Sequence, residues 1–159
     1  MHRKRGSRAL APLWLAAIAW VAVLFFFSGQ TGAESGELSM QVTRLLLKLF
    51  PWLPWTAEAL HPVVRKLAHF GIFAVEGALL SAALMVTLRR KSGLGAALAC
   101  ALCAGMAALN EYHQSFMEGR SCELRDMLID SGGAVAGALA AALLLWLLRR
   151  RARRRNVII

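Results

Sequence analysis

The chain has 159 residues, room for one domain, and 58% of them are hydrophobic, with a mean hydropathy of +0.52. That is too apolar for a soluble domain of this size and points to a membrane protein. The formal net charge of +10 invites a nucleic-acid partner, but the basic residues sit in runs beside apolar blocks, which is a membrane topology signal. Nucleic acid is therefore excluded as a partner.

Four apolar blocks follow one another, at about 10–27, 68–88, 93–109 and 127–148. Each is long enough, at roughly 1.5 Å per residue, to cross a ~30 Å hydrocarbon core. A backbone exposed to lipid must hydrogen-bond to itself, so each block is expected to be a helix. The third block is the shortest and the richest in small residues. The first is preceded by basic residues and could pass for a signal peptide. It is longer than the usual ~7–15-residue signal core, and no A-x-A-type cleavage site follows it. It is read as a retained helix.

Between the first two blocks, 38–50 looks amphipathic and is followed by Pro51-Trp52-Leu53-Pro54-Trp55. Tryptophan favours the head-group layer, so this stretch predicts an interfacial helix in the first external loop. Thr56 is placed to cap a helix that runs through Pro62 into the second span. The expected fold is all-α, one polytopic four-helix bundle ending in a basic tail, 149–159. Arg3, Lys4, Arg5, Arg8, then Arg89, Arg90, Lys91, then the six arginines of 149–155 make up thirteen of the nineteen basic residues. All thirteen fall on one side of this threading, which predicts cytoplasmic N- and C-termini in a plasma membrane. The tail is also expected to touch anionic lipid head groups.

Three cysteines provide no disulfide framework. Cys100 and Cys103 form a C-x-x-C inside an Ala-rich membrane helix, where small residues at helical spacing serve close packing. Cys122 falls in an external loop as a free thiol. No motif for a nucleotide, a Ser-centred nucleophile or haem is present, so no cofactor is indicated.

Ionisable residues inside spans are costly and mark candidate sites. In the second span, Lys66, His69, Phe73 and Glu76 fall within about an 80° sector of a helix. At the start of the fourth, Asp126, Asp130, Gly133 and Gly137 fall within about 60°. Gly133-x-x-x-Gly137 is a close-approach motif, so this face packs on another helix and aims both carboxylates into the bundle. Asn110-Glu111-Tyr112-His113-Gln114 leads into an external turn with Gly119, Arg120 and Arg125. Glu111 and Gln114 share a face, whereas His113 points largely away from them if the helix continues. An outward-opening pocket lined by Lys66, His69, Glu76, Glu111, Gln114, Arg120, Asp126 and Asp130 is expected. His69, Glu111, Asp126 and Asp130 are a mixed nitrogen and oxygen set, but no fixed ligand spacing such as H-E-x-x-H accompanies them, and no metal site is assigned.

The same residues carry a resemblance. Phe27-Ser28-Gly29-Gln30, Ser35-Gly36-Glu37-Leu38-Ser39 and Arg65-Lys66-Leu67-Ala68-His69-Phe70 occur in order across the chain. They are followed by the run from Asn110 to Arg120 and by Arg125-Asp126-Met127-Leu128-Ile129-Asp130-Ser131-Gly132-Gly133. In these the chain resembles the VanZ-like family of small bacterial membrane proteins. The chain has Asn110 where the family commonly has the Asp of a D-E-x-x-Q motif. It has Phe73 where Tyr is frequent, and Glu76 where an apolar residue is usual. Some members carry Glu at the position of Ile72, one turn from Glu76 on a similar face.

The resemblance implies a link to resistance against glycopeptide antibiotics of the teicoplanin type, which act at the outer cell surface. Three readings follow. In the first, the pocket binds or modifies a membrane lipid, a lipid-linked envelope precursor or a glycopeptide. Lys66, Gln114, Arg120, Asp130, Glu76, Ser28 and Gln30 then bind the ligand, and Glu111, Asp126 and His69 are acid–base candidates. In the second, the chain is a structural or partner-binding membrane protein whose polar cluster is a salt-bridge network. The third, a transporter or proton path, is the weakest, because the cytoplasmic halves of the spans carry almost no ionisable residue.

Overall fold

The computed structural model describes residues 10–88 and 92–155, and among them every regular element is a helix. The helices are α1 (Leu10–Ser28), α2 (Gly32–Leu49), α3 (Ala57–Thr87), α4 (Ser92–Gln114) and α5 (Leu124–Arg155). Four of them, α1, α3, α4 and α5, are long and apolar enough to cross a membrane. Their outer faces carry side chains such as Leu15, Ile18, Phe26, Leu98, Leu102, Leu139 and Leu143, all well exposed. A soluble surface does not sustain an apolar area of this extent, whereas a hydrocarbon solvent does. The basic residues at 3–8 and 89–91 lie outside the described residues.

The helices begin where the local chemistry permits. Thr56 caps α3, its hydroxyl accepting the Ala59 amide at 3.3 Å, and Glu58 sits favourably in the first turn. α3 therefore starts at Ala57, as the Thr56 cap led one to expect, and carries the apolar block at 68–88 as its later part. It passes through Pro62, at the cost of one backbone bond. α4 continues to Gln114, so the stretch from Asn110 onward is helical. α5 opens at Leu124 and runs to Arg155, so the basic run 149–155 continues the helix of the fourth span. Arg150 stacks over the Trp146 ring there at 5.2 Å.

α2 is the amphipathic helix expected in the first loop. A capping box starts it: Glu34 accepts the Thr31 amide at 2.8 Å, and Thr31 Oγ1 accepts the Glu34 amide at 3.2 Å. Those bonds from Thr31 hold the Glu34 carboxyl below its usual range. The face α2 buries is its small polar one. Ser39 and Thr43 are covered, and Ser39 Oγ lies 2.7 Å from His61 Nε2 of α3. Of its exposed apolar residues, Leu45 and Leu49 point outward, with Trp52 and Trp55 following the helix, while Leu38 and Val42 border the cavity described below. That inversion suits a helix lying in the interface of a bilayer and no helix in water.

The most extensive helix interface joins α3 and α5, which run in the same direction. It is a contact of backbones. A Cβ at Gly133 or Gly137 would strike the carbonyl oxygen of Phe70 or Ala74, and one at Gly77 would strike that of Ala134. Around it a small core forms from Leu24, Phe73, Leu80, Ala99, Cys103, Ala107 and Ala134. Ala99, Cys103 and Ala107 are one stripe of α4, so Cys103 serves packing as its surroundings led one to expect. Trp20 ties α1 to the same core by donating to the Ile72 carbonyl at 2.9 Å.

Substituting Gly133 or Gly137 with Val is expected to lower the melting temperature of the detergent-purified protein, each change costing about 1–3 kcal/mol through forced separation of the helices. At Gly105 a Cβ meets nothing within 4 Å. Gly105→Ala is expected to be neutral or to stabilise by up to ~1 kcal/mol through helix propensity. Equal melting temperatures for all three variants would refute the close-approach account.

Candidate functional site

The loops at 29–31, 50–56 and 115–123 close one end of the bundle, and the polar side chains of the spans gather there. The end of α5 that carries Arg149 to Arg155 is the opposite one. Gly119 makes the turn of the third loop at φ +71°, a conformation other residues resist. The same loop is stitched to the start of α2, where the Gly32 amide donates to the Glu118 carbonyl at 2.8 Å.

Helix rotation divides the polar residues into three groups. On the α3–α5 seam, Lys66 forms an ion pair with Asp126, contacting both carboxylate oxygens. One turn further in, His69 Nδ1 stands 3.4 Å from Asp130 Oδ1, and Asp130 is fully buried. Glu111 of α4 joins this second group. One of its oxygens accepts the Glu123 amide at 3.1 Å, which fixes the entry of α5, and the other has no hydrogen-bond partner. Neither oxygen of Asp130 has one. Single ligand atoms from His69, Glu111 and Asp130 lie within 4.8 Å of one another.

The third group faces a half-open cavity of about 200 Å³ bounded by α1, α2, α3 and the end of α4. Leu24, Phe27, Leu38, Val42, Val64, Ile72 and Phe73 supply an apolar wall. Ser28, Gln30, Ser39, Arg65, His69, Asn110, Gln114 and Arg120 supply the polar part. Arg120 is half-buried and its Nε has no partner. Burial, and then the neighbouring Arg65, draws the Arg120 guanidinium below its usual range, while Glu111 acts the other way. Among the described residues, neither Arg65 nor Arg120 forms an ion pair. Two guanidiniums without an ion pair stand beside an apolar wall, an arrangement whose chemistry suits an anion that carries a hydrocarbon chain.

The single pocket expected from the sequence is thus split. Of its residues, His69, Gln114 and Arg120 line the cavity, as do Ser28 and Gln30. Lys66 and Asp126 are engaged with each other at its side. Glu111 and Asp130 are buried outside its lining. Glu76 is buried deeper along α3, one carboxylate oxygen unpartnered, and joins neither group. The reason is angular. Arg65, His69 and Ile72 form the face of α3 turned to the cavity, whereas Lys66 and Phe70 belong to the face turned to α5.

Arg65 and Asn110 are residues of the cavity that the sequence reading did not single out. The i, i+4 spacing of Arg65 and His69 was the available signal. His113, read as pointing away from Glu111, does so, and its Nδ1 lies 2.9 Å from Ser28 Oγ on α1. Ser35 and Ser39 became part of the lining only because α2 turns its polar face inward.

The Lys66–Asp126 pair makes a stability prediction. Lys66→Met leaves a buried carboxylate unmatched and is expected to cost about 2 kcal/mol in thermal or denaturant unfolding. That is below the ~3–5 kcal/mol of a fully buried pair, because the Lys66 side chain remains 30% exposed. The double variant Lys66→Met/Asp126→Leu is expected to recover most of the loss. A double variant less stable than the single one would mean that the pair does more than neutralise itself.

Comparison with protein-family models matches residues 13–147 to the family described as VanZ/LLP1. No curated protein and no solved structure matches the chain.

Proposed function

Because this chain belongs to the VanZ/LLP1 family of membrane proteins, we propose that it binds an anionic amphiphile of the cell envelope, a phosphate-bearing lipid or lipid-linked precursor, in the cavity between α1, α2 and α3. The observation that carries this reading is the pairing of an apolar wall with Arg65 and Arg120, two guanidiniums left without an anion. Guanidinium forks match phosphate oxygens, and the chain of the amphiphile continues along Leu38, Val42 and Ile72 toward the bilayer. Gln114, Asn110, Ser28 and Gln30 supply neutral hydrogen bonds around the head group.

Size favours a lipid over an antibiotic. At about 200 Å³ the cavity is below the ~300–1,000 Å³ of ordinary drug-sized pockets. It holds a head group and the first carbons of a chain, not the ring system of a glycopeptide. A connection to glycopeptide resistance then runs through the lipid-linked precursor. The basic residues flanking the spans support a threading with both termini in the cytoplasm of a bacterial plasma membrane. In that threading the cavity opens at the outer leaflet, where such precursors are used, and the whole chain works as one domain.

Modification of the ligand is the narrower possibility within this reading. Of the acid–base candidates, Asp126 is committed to Lys66, and His69 is the one that reaches the cavity. Glu111 and Asp130 then act through His69 rather than on the ligand. The Lys66–Asp126 pair itself favours a structural role for those two residues.

The test is binding to protein reconstituted in phosphatidylcholine nanodiscs, with a short-chain polyprenyl phosphate as ligand and phosphatidylcholine as the comparison. Wild type is expected to prefer the phosphate lipid, and Arg120→Gln to weaken that preference about tenfold or more, the loss of one charge-assisted contact of ~1.5–3 kcal/mol. Ser115→Ala, in the exposed turn, serves as the unaffected control. Equal affinity for both lipids, or a preference indifferent to both Arg65→Gln and Arg120→Gln, would sink the proposal.

A further inference from the structure

Buried carboxylates demand compensation, and one pair in this bundle has little. Asp130 is 0% exposed and Glu111 is 1% exposed. Three of their four oxygens have no hydrogen-bond partner. The third member of the group, His69, directs Nδ1 toward Asp130 at 3.4 Å, outside hydrogen-bond length for a good contact. One donor atom from each residue lies within 4.8 Å of the others, so a small closure brings all three to the ~2 Å ligand distance of a single ion.

We propose that His69, Glu111 and Asp130 form a binding site for one divalent transition-metal cation, held between α3, α4 and α5. Two carboxylates this close in a dry setting are stabilised either by a shared proton or by a dication. The imidazole beside them, with one donor atom of each residue within reach of a common point, favours the dication. The imidazole lone pair adds a nitrogen ligand, which selects Zn²⁺, Mn²⁺ or Fe²⁺ over Mg²⁺ and Ca²⁺. Three protein ligands leave coordination positions open. His69 also lines the cavity, so those positions are approached from the ligand side.

The geometry also selects among the acids. Asp126 stands near this group in sequence and in space, but its oxygens are held by Lys66. The Glu111 oxygen that accepts the Glu123 amide fixes that carboxylate and leaves its second oxygen free to ligate. The site is independent of the lipid reading, since it needs no occupant of the cavity.

The experiment titrates Mn²⁺ into tag-free, full-length protein in detergent after removal of metals with a chelator, with free Mn²⁺ followed by electron paramagnetic resonance. Wild type is expected to bind one Mn²⁺ per chain and to release it to Zn²⁺. Asp130→Asn, His69→Ala and the near-isosteric Glu111→Gln are each expected to weaken binding at least tenfold while eluting as folded protein. His61→Ala and Cys100→Ala, outside the group, are expected to bind as wild type does. Arg120→Gln is expected to retain Mn²⁺ binding while losing the phosphate lipid, which separates a failure of one reading from a failure of the other. Absence of saturable Mn²⁺ and Zn²⁺ binding by wild type overturns the site. So does binding that survives undiminished in any ligand variant that remains folded.

Discussion

The contact on which the molecule turns is the backbone-to-backbone meeting of α3 and α5 at Gly77, Gly133 and Gly137. Carbonyls of Phe70, Ala74 and Ala134 occupy the space where side chains would otherwise stand. In lipid there is no hydrophobic force to press helices together, so this closeness rests on dispersion and on the absence of Cβ atoms. Because the two helices run in the same direction, one register holds along the whole seam. Lys66 meets Asp126, His69 meets Asp130, Phe70 meets Gly133 and Ala74 meets Gly137. Moving either helix by one residue would rotate a carboxylate out of the bundle and strand its partner.

From that register the electrostatic character of the site follows. The outermost pair, Lys66 with Asp126, cancels its own charge and seals the seam. The next level holds two carboxylates and one imidazole with too few donors among them. The guanidiniums of Arg65 and Arg120 lie on the other face of α3 and at the loop, with too few acids. Glu111 acts on Arg120, yet no ion pair among the described residues joins the positive and negative surpluses. A low-dielectric interior punishes such separation unless ligands complete each side. An anionic head group on one side and a cation on the other are the complements that the two surpluses call for.

α2 gives the cavity its amphipathic shape. Had α2 packed its leucine stripe onto α3, the space beside Arg65 would be filled with side chains. Instead the Ser39–His61 contact and the buried Thr43 anchor its polar face, while Leu45 and Leu49 stay exposed and Leu38 and Val42 border the cavity. The helix is then a wall of the cavity, with an exposed apolar flank of the kind that suits the interface of a bilayer. Its start is held by the Thr31 capping box and its approach angle by the Gly32–Glu118 bond.

Much of this was legible in the residues alone. Four spans, an interfacial helix, the cap at Thr56, the packing role of Cys103 and the close approach at Gly133 and Gly137 follow from hydropathy, helical period and residue size, which are properties of short stretches. The polar residues of the site were legible as a set, and the resemblance to the VanZ-like family agrees with the family match. What the residues could not convey was how that set divides. Whether Lys66 neutralises Asp126 or reaches a ligand depends on the rotation of α3 against α5, a relation between segments sixty residues apart in the chain. Likewise the inward polar face of α2 and the entry of Arg65 and Asn110 into the cavity are set by which neighbour each helix meets. Local sequence determines which groups a helix carries and on which stripe; only tertiary packing decides which stripes face each other, and charge compensation is settled there.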